Sequence, residues 1–80
     1  MKMLAEYIKE IRRKTFVSQE EFAQELSVSV STINRWETGK VRPNISAMKK
    51  IKHYCEQNNI SFSEIEIEWR NHLSEDRKND

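Results

Sequence analysis

The chain of 80 residues contains one glycine, one proline and one cysteine. So few turn-formers argue against an all-β fold and for helices joined by a few short breaks. The single cysteine, Cys55, cannot form an internal disulfide, and no Cys or His cluster at metal-ligand spacing surrounds it. It reads as a small buried hydrophobe, with a reactive surface thiol as the alternative. No apolar run approaches the ~20 residues of a membrane span. The opening MKMLAEYIKE also lacks the apolar core of a signal peptide, so a cytoplasmic protein is expected. His53 and His72 stand singly, and no nucleophile, base and orienting group can be assembled, so neither an enzyme nor a cofactor is expected.

What is present is an apolar share of 36% beside 34% charged residues, enough for one small helical core and too little for two. The formal charge of +1 hides an asymmetry. Residues 1–53 carry 11 Lys/Arg against 6 Asp/Glu, and residues 54–80 carry 3 against 7. That split suits a body facing a polyanion with an acidic C-terminal part turned away, although solvated surface charge accounts for it equally well.

Hydrophobic periodicity sets out the helices. Leu4, Tyr7, Ile8 and Ile11 form an apolar stripe over 4–14. Phe22, Ala23 and Leu26 recur at helical spacing after Ser18, which with Glu21 fits a capping box. Ser27, Val28 and Ser29 interrupt that pattern, Ser29 can cap a third helix whose inward positions are Ile33 and Trp36, and Gly39 ends it. Pro43 and Asn44 then start a fourth helix with the stripe Ile45, Met48, Ile51 and Cys55 or Tyr54, closed by a left-handed Asn58 or Asn59. In the last element Ile65, Ile67 and Trp69 alternate as in a strand, whereas Phe62, Ile65, Trp69 and Leu73 fit a helix. A Ser63–Glu66 capping box, and the unpaired backbone of a lone strand, favour the helix. Residues 74–80, with no apolar anchor, read as a flexible tail to a domain spanning 1–73.

The stretch 19–38 is therefore two short helices around a tight turn, a helix-turn-helix whose second helix would be offered to the major groove of DNA. Around it Arg12, Ser18, Gln19, Phe22, Ala23, Leu26, Ile33, Trp36, Glu37, Gly39, Lys40 and Pro43 closely resemble the Cro and phage-repressor type of helix-turn-helix, often called XRE-like. The resemblance runs from Leu4 to about Phe62 and implies an all-α, five-helix, lambda-repressor-like domain. One departure is Ser27, where the family usually has Gly at the turn. A left-handed Ser costs ~1 kcal/mol more than Gly there.

On the helical wheel Ile33, Trp36 and Glu37 face one way, and Ser31, Asn34, Arg35 and Thr38 the other. The resemblance adds Ser29 and Val30 at the helix start and assigns base contacts chiefly to Val30, Ser31 and Arg35. Asn34 can reach a base edge or a phosphate. Arg35 can bind guanine bidentately, Ser31 can donate to or accept from several bases, and Val30 can touch a thymine methyl. For phosphates, the resemblance implies Gln19, which also braces the recognition helix. Lys40, Arg42 and Asn44 can line a second backbone wall, and Ser29 and Thr38 complete the phosphate set. Arg12 and Glu37 are expected to form a structural ion pair, because Glu37 falls inward and Arg12 flanks the stripe of the first helix.

The expected function is sequence-specific binding of double-stranded DNA by a transcriptional repressor that pairs as a homodimer across a palindromic operator, since one small domain on one half-site gains too little affinity. The alternatives are an antitoxin-type interaction protein that binds a partner, such as a toxin, as well as DNA, and a DNA-targeting fragment of a larger enzyme.

Overall fold

The Ser18 hydroxyl accepts the Glu21 N–H at 3.1 Å, and the Glu21 carboxylate accepts the Ser18 N–H at 3.3 Å. The capping box read from the sequence thus fixes where the second helix begins. The structure, a computed structural model, describes the backbone of residues 3–78 and the side chains of residues 3–71. Five helices follow in order: α1 Leu4–Lys14, α2 Gln19–Leu26, α3 Val30–Glu37, α4 Ile45–Gln57 and α5 Ser63–Lys78. Among the described residues there is no strand, so the ambiguous last element is a helix. None of these helices is long and apolar enough to cross a membrane.

The helix α5 extends past Leu73 to Lys78, into the segment read as a tail. The side chain of Leu73, expected in the α5 stripe, lies outside the described residues. Ser63 is the first helical residue rather than the cap. Its hydroxyl lies 3.0 Å from that of Ser61, and the Glu66 carboxylate takes Arg70 at 3.2 Å in place of the anticipated capping box.

The core joins Leu4, Ile8 and Ile11 of α1, Phe22, Ala23 and Leu26 of α2, Ile33 and Trp36 of α3, Met48, Ile51, Tyr54 and Cys55 of α4, and Ile65 and Trp69 of α5. The α4 stripe takes both Tyr54 and Cys55, where the sequence left one or the other. Tyr7 and Phe62 are only partly buried against this cluster. Ile45 is a correction: expected inward, it is 64% exposed, because it is the first residue of α4 and Ala47 takes the inward place one turn before Ile51. Phe22 is fully buried and meets Tyr54 edge to face, ring centroids 5.2 Å apart. Burial of such a side chain stabilises the fold by roughly 1.5–3 kcal/mol.

Four helix ends share one device. One or two residues past the helix the backbone turns left-handed, that residue's N–H and the next N–H folding back onto the last turn's carbonyls. Phe16 (φ 58°), Ser27 (φ 56°), Gly39 (φ 77°) and Asn59 (φ 56°) close α1, α2, α3 and α4 respectively. The longer backbone bonds are Val17 N to Arg12 O, Val28 N to Ala23 O, Lys40 N to Arg35 O and Ile60 N to Cys55 O. A chain with one glycine thus fills three of four left-handed sites with other residues.

Candidate nucleic-acid interface

Helices α2 and α3 are packed together through Phe22, Ala23, Leu26, Ile33 and Trp36, with Ser27 supplying the sharp reversal between them. The eight-residue α3 is too short to hold itself in isolation, so its orientation comes from what it buries. Ile33 and Trp36 are in the core, and Glu37 is buried beside them.

Glu37 is where the interface is anchored. Its Oε2 accepts Arg12 Nε at 2.7 Å, and its Oε1 accepts both Arg12 Nη2 at 3.0 Å and Gln19 Nε2 at 3.1 Å. Arg12 Nη1 in turn donates to the Val17 carbonyl at 3.2 Å. The hydrogen bonds that Arg12 donates to Glu37, with the negative charge of that carboxylate, hold the guanidinium pKa above its ordinary value against the opposing effect of burial. One carboxylate therefore ties α1, the loop before α2, and the first residue of α2 to the last residue of α3. The expected Arg12–Glu37 pair is present, and Gln19 braces the same group.

With that side buried, Ser31, Asn34, Arg35 and Thr38, the face the helical wheel offered to DNA, are exposed, and so is Val30, which the resemblance added. Three of the polar residues expected at phosphates also cap helices. Ser29 accepts the Thr32 N–H at 3.2 Å, Thr38 donates its hydroxyl to the Asn34 carbonyl at 2.8 Å, and Asn44 accepts the Ala47 N–H at 2.9 Å. All three are exposed at the ends of α3 or the start of α4.

The segment between α3 and α4 is not a loose loop. The Trp69 indole N–H donates to the Pro43 carbonyl at 2.7 Å in a buried contact, which pins the Lys40-to-Asn44 stretch to α5. Lys40 and Asn44 stand exposed, while Arg42 is partly buried. Arg42 shares with Thr32, Asn44, Ser46 and Lys50 a cleft of about 390 Å³ between α3 and the start of α4. The sequence did not single out Ser46 or Thr32. Lys50 is exposed, and its Nζ reaches the Ser27 carbonyl at the turn, 3.5 Å away. The signal available was spacing, since Ser46 and Lys50 are one helical turn apart on the face that follows the Asn44 cap.

His53 is exposed, and His72 has its side chain outside the described residues. Among the described residues no group of His, Cys, Asp and Glu could hold a metal ion.

The sequence pattern of the helix-turn-helix family matches residues 8–61, from the middle of α1 through the end of α4, including the whole of α2, the turn and α3. Neither the comparison with curated proteins nor that with solved structures returns a match. The match spans most of the chain and coincides with the buried brace and the exposed face of α3, and the chain belongs to the Cro/C1-type, XRE-like helix-turn-helix family of DNA-binding transcription regulators.

Proposed function

We propose that the protein is a sequence-specific repressor that binds a palindromic operator as a homodimer, with α3 as the reading helix. The observation that carries this reading is the division of α3 into a clamped face and a free one. Glu37 is held by Arg12 and Gln19, and Val30, Ser31, Asn34 and Arg35 are left to solvent. Polar groups on a rigidly held helix can meet base edges in the major groove without first being ordered.

Within this reading Val30, Ser31 and Arg35 contact bases, with Asn34 on a base edge or a phosphate. Gln19, Ser29, Thr38, Lys40, Arg42 and Asn44 contact phosphates on the two walls of the groove. The α3–α4 cleft supports the second wall, since Arg42 and Lys50 bring two cations to the flank of α3. Repression follows from occupancy of a site that overlaps a promoter, and pairing across a palindrome supplies the affinity one half-site lacks.

Selection of bound sites from a random DNA pool tests the proposal. Enrichment of an inverted repeat with half-sites about one helical turn apart is expected. A pool without a common sequence would sink the claim of sequence-specific reading, and a single non-repeated site would sink the homodimer.

A further inference from the structure

The hydroxyls of Ser29, Ser31 and Thr32 form one chain at the start of α3. Ser29 Oγ lies 3.1 Å from Ser31 Oγ and 2.8 Å from Thr32 Oγ1, and it also accepts the Thr32 N–H at 3.2 Å. The ends of the chain face different surroundings. Ser31 is exposed on the side of α3 offered to base edges, whereas Thr32 is half-buried and lines the α3–α4 cleft with Arg42 and Lys50. A hydroxyl has one proton and two lone pairs, so with both hydroxyl contacts kept the chain can run in either of two directions. The Thr32 N–H occupies one lone pair of Ser29 in both. If Thr32 donates to Ser29, the second lone pair is filled, Ser29 donates to Ser31, and the Ser31 proton is left to point outward. If Ser29 donates to Thr32, its second lone pair takes the Ser31 proton, and Ser31 shows only lone pairs to the groove.

We propose that a DNA phosphate bound in the α3–α4 cleft sets this direction and thereby fixes the class of base that Ser31 reads. The proposal rests on the function proposed above, in which Arg42 and Lys50 bring a phosphate to the flank of α3 and Ser31 meets a base. A phosphate oxygen accepts and cannot donate. It takes the Thr32 hydroxyl proton, Thr32 then accepts from Ser29, and Ser29 accepts from Ser31. Ser31 therefore meets an amino group, adenine N6 or cytosine N4, and not the keto oxygen of guanine or thymine. In the free protein water satisfies either direction; once DNA excludes that water, an unmatched proton or lone pair carries its full cost. Ser29 uses its hydroxyl within the chain, which leaves its backbone N–H for the phosphate contact given to it above. Thr32 is thus a positioning residue that acts on base choice through Ser29 and Ser31.

The test uses the full chain and the operator recovered by selection, with all four bases placed in turn at each position of a half-site. Ser31→Ala identifies the base pair that Ser31 reads, as the one where discrimination is lost. At that pair the wild type should prefer an amino base over a keto base on the order of 10-fold. Thr32→Val and Thr32→Ala should each abolish that preference while preferences at the other pairs hold, and Thr32→Ser, which restores the hydroxyl, should recover it. Melting curves report whether each variant folds, and the preference of the wild type needs no variant at all. A keto preference in the wild type, an unchanged preference in folded Thr32→Val or Thr32→Ala, or a loss spread evenly over every pair overturns the hydroxyl chain and leaves the proposed function standing. If Ser31→Ala changes no base preference, Ser31 does not read, and this proposal falls while reading by Arg35 stands. A pool that yields no common sequence overturns sequence-specific reading and this proposal together.

Discussion

Arg12 and Glu37 meet through two side-by-side hydrogen bonds, at 2.7 Å and 3.0 Å, across 25 positions of sequence. The carboxylate side chain is 2% exposed and the guanidinium 16%, so the pair sits under α3 and not on the surface. Desolvation offsets much of the Coulomb attraction in such a pair, and breaking it by removing one partner is worse than never having it. Glu37→Ala should therefore cost roughly 3–5 kcal/mol, because Arg12 is stranded and Gln19 loses its acceptor. For a domain of this size that is a fall in melting temperature on the order of 15 °C or more. A melt within a few degrees of wild type would mean that the pair is solvated in solution.

The left-handed helix ends give a prediction of opposite sign. Phe16 adopts φ 58° with its ring 94% exposed, so its side chain gains almost no burial in return for the strained backbone. Phe16→Gly should stabilise the domain by about 1 kcal/mol, and Ser27→Gly by a similar amount. At Gly39 a methyl group would meet nothing nearer than the Ala5 Cβ at 4.0 Å, so Gly39→Ala should lose about 1–2 kcal/mol through backbone strain alone. Urea unfolding of the three variants checks all three signs. A destabilised Phe16→Gly would show that the ring makes a stabilising contact in solution.

Cys55 supplies a pH dependence. Burial pushes its thiol up to about 11, with the nearby Lys14 opposing the shift and Glu56 adding to it. The native state therefore holds its proton more tightly than the unfolded chain. The stabilisation is complete below the unfolded value of 9.0 and is lost as the pH rises from there through about 11. Over that window this group alone should lower stability by about 1.4 kcal/mol per pH unit. Lysines and tyrosines that titrate there are common to wild type and Cys55→Ala, so the difference between the two slopes isolates the thiol. Equal slopes up to pH 10 would mean that the thiol is accessible in the native state.

Much of this fold was legible because its helices advertise themselves: Ser18 with Glu21, Ser29 and Asn44 are local caps that need no tertiary information. The exposed side of α3 was equally legible, since Ile33 and Trp36 leave only one way to turn the helix. The parts that were not legible have physical reasons. Ile45 lies on the extrapolated stripe of α4, but as the helix's first residue it stays exposed while Ala47 and Met48 of the same turn take the inward places. Phe16 carries no sequence signal for a left-handed site, because only Gly and Asn announce one. Lys50 and the Trp69–Pro43 contact depend on how α4 and α5 lie against the α2–α3 unit, which periodicity within one helix cannot report.

The last prediction separates reading from holding. Arg35 projects from the exposed face of α3, and Lys40 follows the Gly39 cap on the segment that Trp69 pins at Pro43. Phosphate contacts fix position without sequence information, whereas base-edge contacts discriminate. Arg35→Ala should cost ~1–3 kcal/mol on the preferred site, lose much less on random DNA, and relax preference at one base pair per half-site. Lys40→Ala should weaken both DNAs alike and make the salt dependence shallower, by about 0.9 in the log–log slope for each phosphate no longer neutralised, or about twice that for a symmetric dimer. Binding titrations on both DNAs at several salt concentrations measure all of this at once. If Arg35→Ala lowered both affinities equally and flattened the slope as Lys40→Ala is expected to, Arg35 would be a phosphate clamp. Base reading would then fall to Val30, Ser31 and Asn34, the exposed residues that remain toward the α3 N-terminus.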